Sequence, residues 1–418
     1  MMISDNCGLN LLHPIAGFSL GTTCAAIKTP GRRDLVIMKL AKGSKVAALF
    51  TQNAFCAAPV LVAKRALQRG CSRYLVVNTG NANAGTGERG VQHAELTCQE
   101  IAKLTGVDVS DVMPFSTGVI GEYLPIDRLL KAIPGALSHL DEDGWSEAAN
   151  GIMTTDTRPK GASVKLTIPT STKTDDIDGP TRAVNGTLTL TGIAKGSGMI
   201  KPDMATMLSF IATDATVDAE LLHRALRLAA EKSFNRITVD GDTSTNDALV
   251  FAATGCGDVI IDEGNFELFA THLEALCTEL AQACVRDGEG ATKFVSIVTT
   301  GAASQLEAKA TAYTVAESPL VKTALGASDP NWGRILAAVG RAPIPNLDIS
   351  KVSVSLNGTA IVEGGARALG YTEQAGQAAM QPTDIHIVID LGRGESSETV
   401  WTTDLGHEYV RINAEYRT

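Results

Sequence analysis

Short apolar runs bounded by turn residues alternate with helical stripes along this 418-residue chain. Residues 34–40, 47–50 and 74–77 are aliphatic or β-branched between turn formers, so each predicts a strand. Residues 91–104 are amphipathic and end near Gly106, and residues 126–133 follow Pro125, a favoured residue at a helix start; both predict helices. The polar tract 170–186 (TSTKTDDIDGPTRAVNG) predicts a hairpin excursion or an exposed loop. The pattern restarts after Thr206, where residues 207–212 predict a buried strand. A helix is expected over 219–232, with Leu221, Leu222, Ala225, Leu228 and Ala229 on one face. A longer one is expected over 266–285, striped by Phe269, Leu273, Leu276 and Leu280, and a third over 311–325. The last stretch predicts strands over 352–356, 385–391, 399–402 and 408–414, with an Asn357-Gly358 hairpin turn.

Interleaved strands and helices with frequent hairpins favour an α+β fold over a doubly wound parallel sheet. The expected architecture is a layered α/β sandwich with mixed and antiparallel sheets. The length allows two or three domains, and no repeat of solenoid period interrupts the pattern. Hydrophobic residues at 44% and charged residues at 20% are ordinary for a globular protein. A net charge of −10 without a Lys/Arg block, and aromatics at only 5%, argue against nucleic acid as a partner.

The first residues lack a positive leader and an uninterrupted apolar core, so neither a signal peptide nor a membrane span is expected there. Eight cysteines are scattered without a CxxC pair, which supports neither a zinc site nor a disulfide framework; no metal is expected. Cys277 and Cys284, seven apart on a predicted helix, are expected to be buried thiols, as suits a reducing cytoplasm.

The chemistry concentrates in KGSGMIKPDMATMLSF at 195–210. Lys195, two glycines and Pro202 lead to Ala205-Thr206 at the mouth of an apolar run. A hydroxyl beside its own preceding carbonyl can convert that amide to an ester, which water opens. The product would carry Thr206 as an N-terminal nucleophile with its own α-amine as base. Ser116-Thr117-Gly118 could supply an oxyanion hole from amides at a bend and the Thr117 hydroxyl. MTTDTRPK at 153–160 gathers Thr154, Thr155, Asp156 and Arg158 where a helix is expected to end.

DGDTSTND at 240–247 fails as a calcium loop, having Thr245 and Phe251 where Gly and Glu are required. DGEGATK at 287–293 lacks phosphate-loop spacing, and the seven histidines are too dispersed to argue a Ser-His-Asp set. The terminal YVRINAEYRT at 409–418 alternates like a strand docked in a core or completing a site.

These segments together resemble the ornithine acetyltransferases, the glutamate N-acetyltransferases of arginine biosynthesis. The resemblance spans essentially the whole chain. It rests on GRRDLVIM at 31–38, NAFCAAPV at 53–60, NTGNANAGTG at 78–87, STGVIGE at 116–122, MTTDTRPK and KGSGMIKPDMATML. It continues through SFNRITVDGDTSTND at 233–247, GEGATK at 288–293, SDPNWGRI at 328–335 and YVRINAEYRT. It implies an N-terminal-nucleophile-type enzyme that cuts itself between Ala205 and Thr206 into an α chain (1–205) and a β chain (206–418), with structural domains that combine parts of both.

On that resemblance Thr206 takes acetyl from N²-acetyl-L-ornithine and passes it to L-glutamate by a ping-pong cycle. Thr117 and Gly118 correspond to the oxyanion pair. Thr154, Lys195, Thr206, Glu289, Asn413 and Thr418 correspond to substrate contacts. No cofactor is implied. Acetyl-CoA is a further donor in the bifunctional members and not in the monofunctional ones, and no motif separates the two. The resemblance also implies an α₂β₂ assembly in the cytoplasm. A related N-terminal-nucleophile aminopeptidase or amidase, which gives its acyl group to water, is the alternative. Lys201, Asp203, Thr79 and Gly85 depart from residues frequent in relatives.

Overall fold

The computed structural model describes residues 12–70, 72–171, 183–201 and 207–415. Two units divide the chain. The first comprises Met1–Gly196, Pro202–Asn235 and Thr243–Cys284; the second comprises Ser197–Lys201, Arg236–Asp242 and Val285–Thr418.

The first unit begins with β1 (Phe18–Thr23), β2 (Leu35–Leu40), β3 (Lys45–Phe50), α1 (Ala58–Leu67), β4 (Tyr74–Asn81), α2 (Gly87–Thr105) and β5 (Val112–Val119). It continues with α3 (Ile126–Ser138), α4 (Trp145–Gly151), β6 (Lys160–Ser171), β7 (Ala183–Lys195), β8 (Leu208–Thr213), β9 (Thr216–Val217) and α5 (Ala219–Lys232). Strands β10 (Ala248–Ala253) and β11 (Ile260–Ile261) follow, then α6 (Phe266–Arg286), whose last two residues count with the second unit.

One sheet has the order β1-β2-β4-β5 and a second β3-β10-β8-β7-β6, while β9 and β11 form a separate parallel pair. In the two larger sheets pairing is antiparallel except for β4–β5 and β10–β8. The inner faces meet in one apolar cluster, with Phe18, Met38, Val77 and Phe115 from one sheet and Ile193, Phe210 and Val250 from the other. Phe115 meets Phe210 edge to face with centroids 5.1 Å apart. On the outer face of the first sheet Ile37, Val76 and Val112 pack with Ile101 of α2 and Leu129 and Ile133 of α3. Beyond the second, Phe251 stacks on Phe269 of α6 at 6.1 Å. Helix, sheet, sheet and helix therefore form four layers. Covered on both faces, β8 and β10 are buried at every position.

The second unit contains β12 (Phe294–Ala302), α7 (Gln305–Ala316), α8 (Pro319–Gly326), α9 (Trp332–Gly340), β13 (Ser353–Leu356) and β14 (Thr359–Glu363). It ends with β15 (Ala366–Arg367), α10 (Glu373–Ala379), β16 (Asp384–Asp390), β17 (Ser396–Thr403) and α11 (His407–Ala414). Its sheet runs β15-β14-β13-β16-β12-β17, and only β12–β16 is parallel. Val295, Ile297, Val354 and Ile387 of the sheet share a core with Ala308, Val321 and Val339 of the helices. Asn357 (φ 45°) and Gly358 (φ 80°) close the β13–β14 hairpin in the left-handed conformations that such a turn requires.

Several expectations are corrected. The single helix over 311–325 is two, α7 and α8, separated where Pro319 cannot donate to a continuing helix. Ser318 caps the second of these by accepting from Val321 N. The terminal strand expected over 408–414 is helix α11; alternation over so few residues fits either period. The turn-forming composition of NTGNANAG (78–85) predicts a loop with exposed amides, but residues 78–81 continue β4. Flanking the polar tract are the long paired strands β6 and β7, from Lys160↔Ala194 to Ser171↔Ala183; residues 172–182 lie outside the described residues. Cys277 and Cys284 are buried thiols on α6.

Candidate active site

In the first unit, Ser116, Thr117 and Gly118 lie at the end of β5 beside Asn78, Thr79 and Gly80 of β4. The parallel register becomes irregular at Gly80 and Asn81. Gly118 has φ +133°, and a Cβ there would lie 2.3 Å from the Gly80 carbonyl carbon, so no side chain fits. The Ser116 hydroxyl donates to Asn78 Oδ1 at 2.6 Å. Asn246 Nδ2 donates to Ser116 O at 2.9 Å and to Ala82 O at 2.6 Å. The Thr245 hydroxyl donates in turn to Asn246 Oδ1. One buried amide thus ties the ends of both strands. Thr117 is buried here on a strand held at Ser116 by hydrogen bonds to Asn78 and Asn246, the kind of fixed backbone an oxyanion site needs.

Asp156, between α4 and β6, organises a second cluster in this unit. Its Oδ2 accepts from Thr154 N at 2.9 Å. Its Oδ1 accepts from Lys160 Nζ at 2.6 Å and from Gly196 N at 2.7 Å. Both ion-pair partners are essentially inaccessible to solvent. Burial opposes ionisation of Asp156, but the ammonium charges of Lys160 and then Lys195, with these hydrogen bonds, hold its carboxyl far below the usual range. The Thr154 loop and the Lys195–Gly196 end of β7 are therefore moored to one carboxylate. What reads as a helix end with a capping side chain is a buried electrostatic hub.

Lys195 is buried at the last position of β7 and pairs with Leu208 of β8. Leu208 also pairs with Ala248 of β10, and Ala248 N donates to Met207 O at 2.9 Å. The chain thus enters the sheet at Met207–Leu208, flanked by Lys195 and Ala248. Asp247, one residue before β10, is buried with its Oδ2 lacking a hydrogen-bond partner among the described residues. Burial pushes this carboxyl well above the ordinary range, against the opposing hydrogen bond from Ser244 and charge of Lys195. Ala205, Thr206 and Thr418 lie outside the described residues.

In the second unit, Glu289 stands in the loop between α6 and β12. Its N–H donates to Ser197 O at 2.8 Å, and a Cβ on Gly198 would come within 2.5 Å of its carboxylate. Its Oε2 accepts from Asn413 Nδ2 of α11 at 2.8 Å. Asp404 secures the same loop by accepting from Thr292 N and Lys293 N at 2.8 and 2.9 Å and from the Thr292 hydroxyl at 2.6 Å. Lys201 Nζ donates to Glu317 Oε2 at 3.0 Å.

Of the residues singled out from sequence, the first unit ties Thr154 to the Lys195–Gly196 end and places Thr117 and Gly118 on its clamped strand. The second unit pairs Glu289 with Asn413. Sequence reasoning missed Asn246 and Asp247, although the signal was present in the tract rejected as a calcium loop. It also missed Asp404, which no local pattern marks.

The ArgJ family profile matches residues 19–418. The arginine biosynthesis bifunctional protein ArgJ of Pseudomonas syringae pv. tomato is 56% identical over 414 residues, covering 98% of each chain. The protein of the same name from Methylococcus capsulatus is 53% identical over 410 residues, covering 97% of each. A crystal structure of arginine biosynthesis bifunctional protein ArgJ from Bacillus halodurans aligns with 37% identity and a TM-score of 0.48, covering 50% of this chain and 99% of that one. The family match takes in the Thr117–Gly118 strand and extends past Asn413, and this chain belongs to the ArgJ family.

Proposed function

We propose that the chain is a self-processing acyltransferase of arginine biosynthesis that moves acetyl from N²-acetyl-L-ornithine to L-glutamate. The observation that carries the reading is the near full-length identity with proteins named for arginine biosynthesis. The hydrogen-bonded Ser116–Gly118 strand end and the oppositely charged Lys195 and Glu289 support it.

Processing comes first. The Thr206 hydroxyl adds to the Ala205 carbonyl carbon, the C–N bond breaks, and the hydroxyl proton passes to the departing nitrogen. The break frees the Thr206 α-amine, and water then opens the ester to a carboxylate on Ala205 and the regenerated Thr206 hydroxyl. With a reference pKa of roughly 7.7–8, that amine can accept the hydroxyl proton near neutral pH. Thr206 Oγ then attacks the acetyl carbonyl, and Thr117 and Gly118 stabilise the oxyanion. Ornithine leaves as its amine takes the proton. The glutamate amine attacks the acetyl ester and restores the Thr206 hydroxyl.

An amino-acid substrate needs a cation for its α-carboxylate and an anion for an ammonium, and Lys195 and Glu289 have those signs. Thr154, Asn413 and Thr418 complete the assigned contacts. The relatives are named bifunctional, and we extend to this chain acetyl-CoA as a second donor substrate, with no cofactor. The products of the cut are an α chain (1–205) and a β chain (206–418) in an α₂β₂ assembly in the cytoplasm. Strands β8 and β10 lie between β3 and β7 in one sheet, which supports lasting association of the two chains. No helix among the described residues is long and apolar enough to cross a membrane.

The test is Thr206→Ala. Wild type is expected as two chains that transfer acetyl to glutamate without net hydrolysis, and the variant as one inactive 43.7 kDa chain. Two chains in the variant would remove Thr206 as nucleophile. Release of acetate without transfer would favour the aminopeptidase or amidase reading. Glutamate with acetyl-CoA alone tests the second donor.

A further inference from the structure

The second unit holds residues 197–201, the stretch that leads four residues on to Ala205. Asp240 accepts from Met199 N at 2.6 Å and from Ile200 N at 2.9 Å, and Val239 N donates to Ile200 O at 2.7 Å. Met199 has φ +54°, a left-handed conformation costly for a side-chain-bearing residue and sustained only where neighbours enforce it. The enforcing carboxylate is itself secured. The Tyr409 hydroxyl donates at 3.2 Å to Asp240 Oδ2, the oxygen that takes Met199 N.

Tyr409 lies one helical turn before Asn413 on α11, and Asn413 holds the Glu289 carboxylate packed over Gly198. One helix face therefore braces both carboxylates that grip this stretch. Neither Asp240 nor Tyr409 has a part in the acyl-transfer chemistry above.

We propose that Asp240 and Tyr409 are positioning residues for self-cleavage, a latch that holds Met199 in its left-handed conformation and Ile200 beside it, a few residues before the Ala205–Thr206 bond in sequence. The inference rests on the self-processing reading. After the cut the same bonds retain the end of the α chain on the β chain. Burial and then the Asp240 charge push ionisation of the Tyr409 phenol upward, so it remains a hydrogen-bond donor to the carboxylate.

The experiment follows cleavage of the full chain after a pulse of cell-free synthesis, for wild type, Asp240→Asn and Tyr409→Phe. Hydrogen exchange at Met199 and Ile200 is read in a Thr206→Ala background. Asp240→Asn is expected to slow the cut by about tenfold or more, and Tyr409→Phe by about threefold, as befits loss of a charged acceptor and of one neutral donor. Exchange at both amides should accelerate while the melting temperature of Tyr409→Phe stays within about two degrees of wild type. A merely structural role would lower the melting temperature and leave the cutting rate of the folded fraction unchanged, which overturns the latch. Should Asp240→Asn fail to fold, Tyr409→Phe, which removes one oxygen, decides alone. A wild-type chain that cuts beside variants that cut equally fast overturns the latch alone. A wild-type chain that stays whole overturns self-processing and the latch with it.

Discussion

Gly118 passes so close to Gly80 that a methyl group on it would lie 2.3 Å from the Gly80 carbonyl carbon. Two adjacent parallel strands thus approach where a register irregularity and a positive φ coincide. Gly118→Ala must push β5 away from β4 and displace Thr117 with it. Acetyl transfer is expected to fall by about 10²–10³ in kcat, the range for loss of one oxyanion donor. Steady-state kinetics with acetylornithine and glutamate measure it, and a rate within twofold of wild type would remove Thr117–Gly118 from that role.

Asn246 holds the same strand ends from behind. Asn246→Ala leaves Ser116 O and Ala82 O without this donor and the Thr245 hydroxyl without its acceptor. Urea denaturation should show a loss of about 1–3 kcal/mol. The kinetic mark of its positioning role is a fall in kcat with KM nearly unchanged.

Asp156→Asn leaves the Lys160 charge buried without its carboxylate and is expected to cost about 3–5 kcal/mol at neutral pH. The sign with pH follows from the depressed folded value of Asp156. Its contribution is present above the unfolded reference of about 3.9 and is lost as pH falls toward the folded value. The gap in unfolding free energy between wild type and variant should narrow below about pH 4. A gap constant down to pH 3 would contradict an ionised Asp156.

Lys322 is buried on α8 and donates to the Thr402 hydroxyl and to Thr403 O. Burial lowers its pKa to about 8, only partly offset by Asp404, Asp240 and Glu317. Between that value and about 10.4 the unfolded chain binds more protons than the folded one, so this residue makes stability rise with pH. Relative to Lys322→Met, wild type should gain at most about 1.4 kcal/mol per pH unit across that window. Urea titrations at pH 7.5 and 9.5 test it, and a difference of opposite sign would rule out the lowered value.

The elements that formed as expected are those with long apolar patterns. The bounds of the helices over 219–232 and 266–285 read out to within a residue, the second burying its expected stripe and the first capped by Asp218. The buried face of the first, however, is Leu222, Ala225, Leu226, Ala229 and Ala230, with the expected Leu228 exposed and Leu221 only half-buried. Short alternating segments misled. Residues 408–414 carry too few apolar positions to separate periods 2 and 3.6, and the helix there is settled by what Tyr409 and Asn413 reach. Thr117, Gly118, Thr154, Lys195, Glu289 and Asn413 were candidates because their motifs stand in the order of the family resemblance. Asp156 was visible only as one polar residue among several. Nothing local distinguished it from a helix cap.

Hydrophobic periodicity and the ordered family motifs were therefore sufficient for the layers, the membership and most candidate side chains. Both are properties of neighbouring residues, and each segment carries them whatever the rest of the chain does. The partners of buried polar groups are of another kind. Asn246 meets Ser116 across 130 residues, Asn413 meets Glu289 across 124, and Tyr409 meets Asp240 across 169. A buried donor or acceptor must find its complement somewhere, but only the completed topology decides which one comes within about 3 Å. The tract DGDTSTND shows the difference most plainly: its Asp240 serves the second unit and its Asn246 the first, a division that no reading of its eight residues contains.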